Sequence, residues 1–333
     1  MLYLLSIAEN LSVPNMRSMP KIMKANSPAV VTCMGLTKIY QTGTVALDNL
    51  TFTIEPGMCF GLMGENGAGK STLVKLLMGF IFPTKGQLSV LGETEVRRAH
   101  ARIGYLHERP YVELRFTARS YLTYLAQLSG YWDEIAHLRV QSVLEQVDLK
   151  AASDERLATY SKGMLQRLSI AQTLLTDPQF LILDEPTNGL DPYSQWQVRQ
   201  IIAALRKQGK TILICSHYLT EVEILCDAVG ILQHGKLVQS GAVTDLVYTQ
   251  SAVEIVFPQD SLASDIVTQL GIQEHVIEAH NNFLRINIAS QNSVLAALLA
   301  ANVQIHSLNP ISQTLEDVYI HSTRPEAELS STL

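Results

Sequence analysis

The stretch that most constrains this chain is GENGAGKS, residues 64–71. It follows the unbroken apolar run MCFGLM (58–63) and leads into VKLLMG (74–79), which has helical spacing. The pattern G-x-x-x-x-G-K-S places glycines where the backbone must wrap closely enough for its N–H groups to face phosphate oxygens. Lys70 adds positive charge at the β- and γ-phosphates, and the Ser71 hydroxyl can ligate Mg2+. A glycine-rich turn that merely fits the pattern is the bland alternative. The strand before it and the helix after it weigh against that reading and point to a parallel α/β core.

Further apolar runs suit that core. FLIL (180–183), TILIC (211–215) and AVGIL (228–232) each end in polar or loop residues, as strands buried on both faces do. LTKIY (36–40) and LTFTI (50–54) read as strands of another sort. In the second, Leu50, Phe52 and Ile54 alternate with threonines, which implies one covered face. DPYSQWQVRQIIAALRKQG (191–209) reads as a helix with Asp191 as N-cap, Pro192 at its first position and Gly209 just past its end. Residues 97–178 read as mostly helical, an insertion into the strand series.

Two strand ends carry reactive groups. LILDEP (181–186) puts Asp184 where it can hold Mg2+ through the water shell, and Glu185 where it can polarise an attacking water. A carboxylate pair capping the strand exit is the plainer alternative. His217 follows TILICS, so it opens onto the same edge; there, orienting a γ-phosphate competes with an ordinary surface histidine. A third feature is YSKGMLQRLSIAQTLL (160–175), a helix of about four turns entered by Ser161 as N-cap with Gly163 in its first turn. Such a start leaves backbone N–H groups open to an anion. With one phosphate loop already present, the residues alone leave this second anion unassigned, and a kink or packing contact stays open.

Taken in order, these pieces resemble the ATP-binding cassette (ABC) family over roughly residues 34–243. The resemblance rests on GENGAGKST, FLILDEP, YSKGM, NGLDP and ICSH. It implies that Gly64, Glu65, Asn66, Gly67, Ala68, Gly69, Lys70, Ser71 and Thr72 bind the nucleotide, and that Tyr40 stacks on adenine. It also resolves the unassigned anion: in this family the signature helix faces the ATP held by a second subunit. Ser161 and Gly163 would then bind the γ-phosphate of the partner's ATP, and Asp191 would couple the two sites. The usual L-S-G-G-Q is Y-S-K-G-M here, so Lys162 and Met164 replace a glycine and a glutamine. Similar signatures occur in cassettes of drug, polymer and antibiotic exporters. In IGYLHERP (103–110), Glu108 stands where the family has a glutamine that reaches Mg2+ and the attacking water. Carboxylates ligate Mg2+ well, so a retained but altered metal dependence is expected.

The length of 333 residues predicts two domains, and 47% hydrophobic with 17% charged residues predicts folded ones. The expected architecture is a P-loop NTPase core of the ABC type with antiparallel β and helical subdomains, spanning 29–244. From VEIVF onward the order β-α-β-β-α-β predicts a small ferredoxin-like α+β domain over 245–321. Its helices should show stripes at Leu262, Ile266, Val267 and Leu270, and at Val294, Leu295, Leu298 and Leu299. This part resembles the accessory domain of many exporter cassettes, LEDVY (315–319) included. A structural cap or dimerisation element and a regulatory element are both open for it. Residues 1–28 read as a poorly ordered leader and 322–333 as a frayed tail. The four cysteines have no metal or disulfide spacing and should be buried thiols. A net charge of −6 gives no general attraction for nucleic acid. No run of about 18 apolar residues crosses a membrane. The resemblance therefore implies an ATP-hydrolysing subunit, with ATP and Mg2+, that drives a separate integral membrane permease as a cassette dimer, most simply a homodimer. It would be cytoplasmic, peripheral on the inner face of the cell membrane. The rival is a soluble ABC ATPase acting on the ribosome or nucleic acid.

Overall fold

The computed structural model describes residues 28–109, 111–247, 252–258, 262–311 and 314–323. Strands β1 (Val31–Ile39) and β2 (Val45–Ile54) form an antiparallel pair. Leu50, Phe52 and Ile54 are buried while Thr51 and Thr53 are exposed, as the alternation predicts. Strand β3 (Cys59–Met63) is buried throughout and runs into the glycine loop. Helix α1 (Lys70–Leu77) starts at Lys70, four residues earlier than the apolar spacing predicts, because the loop glycines leave it directly into helical geometry. Strand β4 (Lys85–Val90) completes a three-stranded sheet of order β2-β1-β4.

The segment read as helical from 97 begins otherwise. A 3-10 turn over Val96–Arg102 leads into strand β5 (Ile103–Leu106), which pairs in parallel within the core sheet. That corrects the helical reading of this portion; four residues are too few to show a period. The helices follow: α2 (Ala118–Leu128), entered through a Thr117–Ser120 capping box, α3 (Asp133–Gln146) and α4 (Lys162–Leu174). Next come β6 (Phe180–Asp184), α5 (Pro192–Lys207), β7 (Thr211–Cys215), α6 (Leu219–Leu225), β8 (Ala228–Gln233), β9 (Lys236–Ala242) and α7 (Val243–Val247). Asp191 caps α5, accepting the Ser194 N–H at 3.0 Å, with Pro192 at the first position. The second sheet has the order β5-β6-β7-β3-β8-β9, parallel except for β9.

The unbroken apolar runs divide between the two faces of this sheet. Phe180, Ile182, Leu213 and Cys215 join α1 and the antiparallel sheet in one core. Leu181, Leu183, Ile212 and Ile214 join the helical side in another. Both faces are dry, which is why these strands carry no polar alternation. All four cysteines are buried and free.

A third sheet is built by β10 (Ala252–Val256), α8 (Ala263–Leu270), β11 (Val276–His280), β12 (Phe283–Asn287), α9 (Gln291–Ala300) and β13 (Ser307–Ile311). Its order is β11-β12-β10-β13, all antiparallel, with its own core. Two stripe residues are corrected. Leu262 precedes α8 as its extended N-cap, so helical spacing does not apply to it, and Ala263 takes the buried place. Leu299 turns outward beside buried Leu298. Helix α10 (Leu315–Thr323), which holds LEDVY, packs instead on α6 and α7 of the larger unit. Leu315 and Val318 are buried in the helical-side core of the larger unit, and the Leu315 N–H donates to Glu223 of α6 at 3.3 Å. It runs through two residues of the stretch read as frayed. The leader's residues 1–27 and the tail's 324–333 lie outside the described residues.

Candidate nucleotide site

The site is assembled at the ends of β3, β6 and β7. Gly64, Gly67 and Gly69 have positive φ of 156°, 87° and 114°. A Cβ at Gly69 would lie 2.6 Å from the Ala46 carbonyl, so both the dihedral and the space demand glycine. Lys70 is buried and donates to the loop's own carbonyls at Gly64 and, at 3.2 Å, Glu65. The loop is thereby closed around its lysine. Helix α1 has no side-chain cap and no acidic residue in its first turn, which leaves its N-terminal N–H groups and dipole for an anion.

A cleft of about 300 Å³ faces this loop. Glu65, Asn66, Gly67, Gly69, Lys70, Ser71 and Thr72 line it, together with Tyr40, Glu108, Asp184, Glu185 and His217. Gly64 and Ala68 shape the loop from behind without lining the cleft. Tyr40 stands at one end, its hydroxyl 3.3 Å from the Thr72 Oγ1. Thr44, Val45, Ala46 and Asn188 also line the cleft and were not picked out from the sequence. The turn Thr42–Thr44 beside Tyr40 and the N of DEPTN were the available signals.

Asp184 and Glu185 end β6 under different constraints. Burial, then the charges of Glu185 and Glu108, push the Asp184 carboxyl up to about 6, against the pull of His107 and Lys70. Glu185 holds a left-handed backbone (φ 50°) that no β-strand residue adopts freely, fixed by its N–H to the Cys215 carbonyl at 2.8 Å. Its Oε2 lies 2.8 Å from the His217 Nδ1. The histidine therefore reaches the carboxylate from the next strand, with its other nitrogen directed away from it. Glu108 is half-exposed, 3.8 Å from the Arg109 guanidinium, and enters the cleft from the loop after β5.

Ser161, Gly163 and Asp191 are not brought into this cleft. Ser161 caps α4, accepting the Met164 N–H at 3.2 Å. Arg167, buried, fastens that helix to the end of α3 through the Val147 and Asp148 carbonyls at 2.9 and 2.7 Å. Gly163 lies so close to Ser194 of α5 that a Cβ would collide with its hydroxyl.

Backbone wrapping on one strand, with carboxylates on the strand two places along the sheet, makes this a P-loop nucleoside triphosphatase. Known proteins narrow that class. The family model described as ABC transporter matches residues 47–188. An ABC transporter ATP-binding protein of Nostoc sp. is 35% identical over 90% of this chain and 92% of the relative. The Nod factor export ATP-binding protein I of Rhizobium johnstonii is 33% identical over 91% of this chain and 97% of the relative. Among solved structures, cbiO1 of Clostridium perfringens, part of the ABC transporter complex cbiONQ, superposes with a TM-score of 0.62 at 26% identity, covering 66% of this chain and 91% of that one. The chain belongs to the ABC transporter family, as an ATP-binding subunit, and is an ATPase of that family.

Proposed function

We propose that the chain powers an exporter, pairing with a second copy of itself so that ATP lies between the two and the closing and opening of the pair drives a separate integral membrane permease. The observation that carries this reading is the separation of Ser161 and Gly163 from their own chain's cleft. A capped helix start with free N–H groups suits a phosphate, and the nucleotide of a second copy would bring one to it. Export draws support from the Rhizobium relative, which is a Nod factor export ATP-binding protein.

Within the cleft, Lys70 and the loop N–H groups hold the β- and γ-phosphates, and Tyr40 meets the base. Ser71, Asp184 and Glu108 supply hard oxygen donors for Mg2+, and Asp184, raised first by burial and then by the charges of Glu185 and Glu108, would be stabilised as a carboxylate by a cation beside it. Among the described residues no three His, Cys, Asp or Glu side chains are gathered to hold a metal by themselves, so phosphate oxygens and water would complete such a shell. When bound, Mg2+ would neutralise charge building on the phosphates. Glu185 takes the attacking water's proton, and His217 keeps that carboxylate aimed while facing the γ-phosphate.

The permease would dock on the helical side, around residues 107–120. Tyr111 is 80% exposed there, and Leu114, Tyr124, Leu128 and Trp132 are exposed nearby. Among the described residues no helix is long and apolar enough to cross a membrane, so attachment to the membrane's inner face would come through that partner. The docking of α10 favours a structural role for the appended part.

Tagged protein is to be drawn from detergent-solubilised membranes and the eluate assayed for ATPase. The expected result is an integral membrane partner, with turnover lost by about 100-fold or more in Glu185→Gln. Unchanged permease capture by Arg109→Ala and Tyr111→Ala would move the docking surface elsewhere. Elution with ribosomes or DNA would overturn the exporter reading.

A further inference from the structure

Lys162 is the first residue of α4, beside the N–H groups proposed above to meet a phosphate. Its Nζ instead donates to the Gly189 carbonyl at 2.8 Å. One turn further along α4, the Gln166 Nε2 donates to the Pro186 carbonyl at 2.7 Å. These acceptors bound Pro186–Gly189, four of the five residues between Glu185 and Asp191. Gly189 is suited to its contact: φ is 66°, and a Cβ there would strike the Lys162 Nζ. The far side is closed as well. Asp191 accepts the Ser194 N–H and hydroxyl at 3.0 and 2.6 Å, and Gly163 of α4 presses on that same serine. The start of α4 and the segment behind Glu185 thus interlock at Pro186, Gly189 and Ser194.

We propose that Lys162 is a positioning residue that makes the start of α4 and the Pro186–Gly189 segment move as one piece. Contact of α4 with the nucleotide of a second copy is then transmitted to this chain's own Glu185. The inference rests on the pairing of two copies proposed above. An ammonium-to-carbonyl bond is charge-assisted and directional, but at an exposed position its value is geometric rather than a large contribution to stability.

The test is ATPase activity of the purified full chain against ATP concentration. Lys162→Met keeps the stem and removes the donor; Lys162→Arg keeps a charged donor; Gly189→Ala obstructs the seat while leaving the lysine in place. Expected is a Hill coefficient near 2 in the wild type that falls toward about 1 in Lys162→Met, with KM changed by less than about twofold. Lys162→Arg should recover much of the cooperativity, and Gly189→Ala should reproduce its loss. A severalfold rise in KM with the Hill coefficient unchanged would make Lys162 a phosphate ligand and overturn the proposal. Unaltered kinetics in Lys162→Met would overturn it too. Light scattering of Glu185→Gln with ATP separates the underlying reading: no dimer there ends the pairing proposal, and this inference with it.

Discussion

Asp184 carries a carboxyl that titrates near 3.8 in an unfolded chain and about 6 in the fold. Between those values the folded protein holds a proton that the unfolded one has released. Stability therefore falls as pH rises from about 4 through 6, and the full deficit persists above that. Asp184→Asn removes it, so without nucleotide the variant should melt several degrees above the wild type near pH 7.5 and show no advantage near pH 4. A variant that melts lower at neutral pH would refute this. Mg2+ competes for the same oxygen, so acid below about 6 should weaken Mg2+-dependent turnover in the wild type. Glu108→Gln should keep turnover but shift the Mg2+ activation curve to higher concentration; a curve superposing on the wild type would remove Glu108 from the metal's neighbourhood. Most of the cleft was legible in residues because wrapping a phosphate needs particular types at fixed spacing. The direction of the Lys162 side chain was not. It depends on where the Gly189 carbonyl falls, which is a fact of packing between α4 and the segment after β6.

Elements were legible in proportion to their length and burial. Strands β3, β6 and β7 announce themselves as apolar runs because both faces are covered, and α5 carries its cap, proline and closing glycine in its own residues. Strand β5 was missed because four residues have no period and a 3-10 turn adjoins them. Helix α10 was legible as a motif, LEDVY, but not as an attachment. Nothing in its amphipathicity says which unit it covers; burial of Leu315 and Val318 against α6 and α7 does. Leu315→Ala should destabilise the larger unit by about 2–4 kcal/mol, measured by denaturant titration. A cost below about 0.5 kcal/mol would mean that the helix is only loosely seated.

The whole molecule contains a large two-faced unit around the core sheet and a small unit with a separate core of Val253, Ile255, Leu284, Ile286, Val294 and Leu298. A ligand held only by the larger unit stabilises that unit alone. At about 100 times its Kd, ATP should add about 2.7 kcal/mol there. Calorimetry of Glu185→Gln should then show two transitions, of which ATP and Mg2+ raise one. A single transition moving as a whole would show the units to be thermodynamically coupled.

The position of α10 also changes what the appended sheet is. The chain leaves the larger unit through α7 and comes back to it through α10, and the two helices pack on the same part of its core. The small sheet is thus the head of a loop whose stem is α7 and α10. A stop codon after α7 would take away half the stem and leave an apolar socket open to water. Replacing the head while keeping both halves of the stem would leave the socket filled. New heads can be exchanged on such a stem, by recombination or by an engineer, without reopening the nucleotide-binding unit.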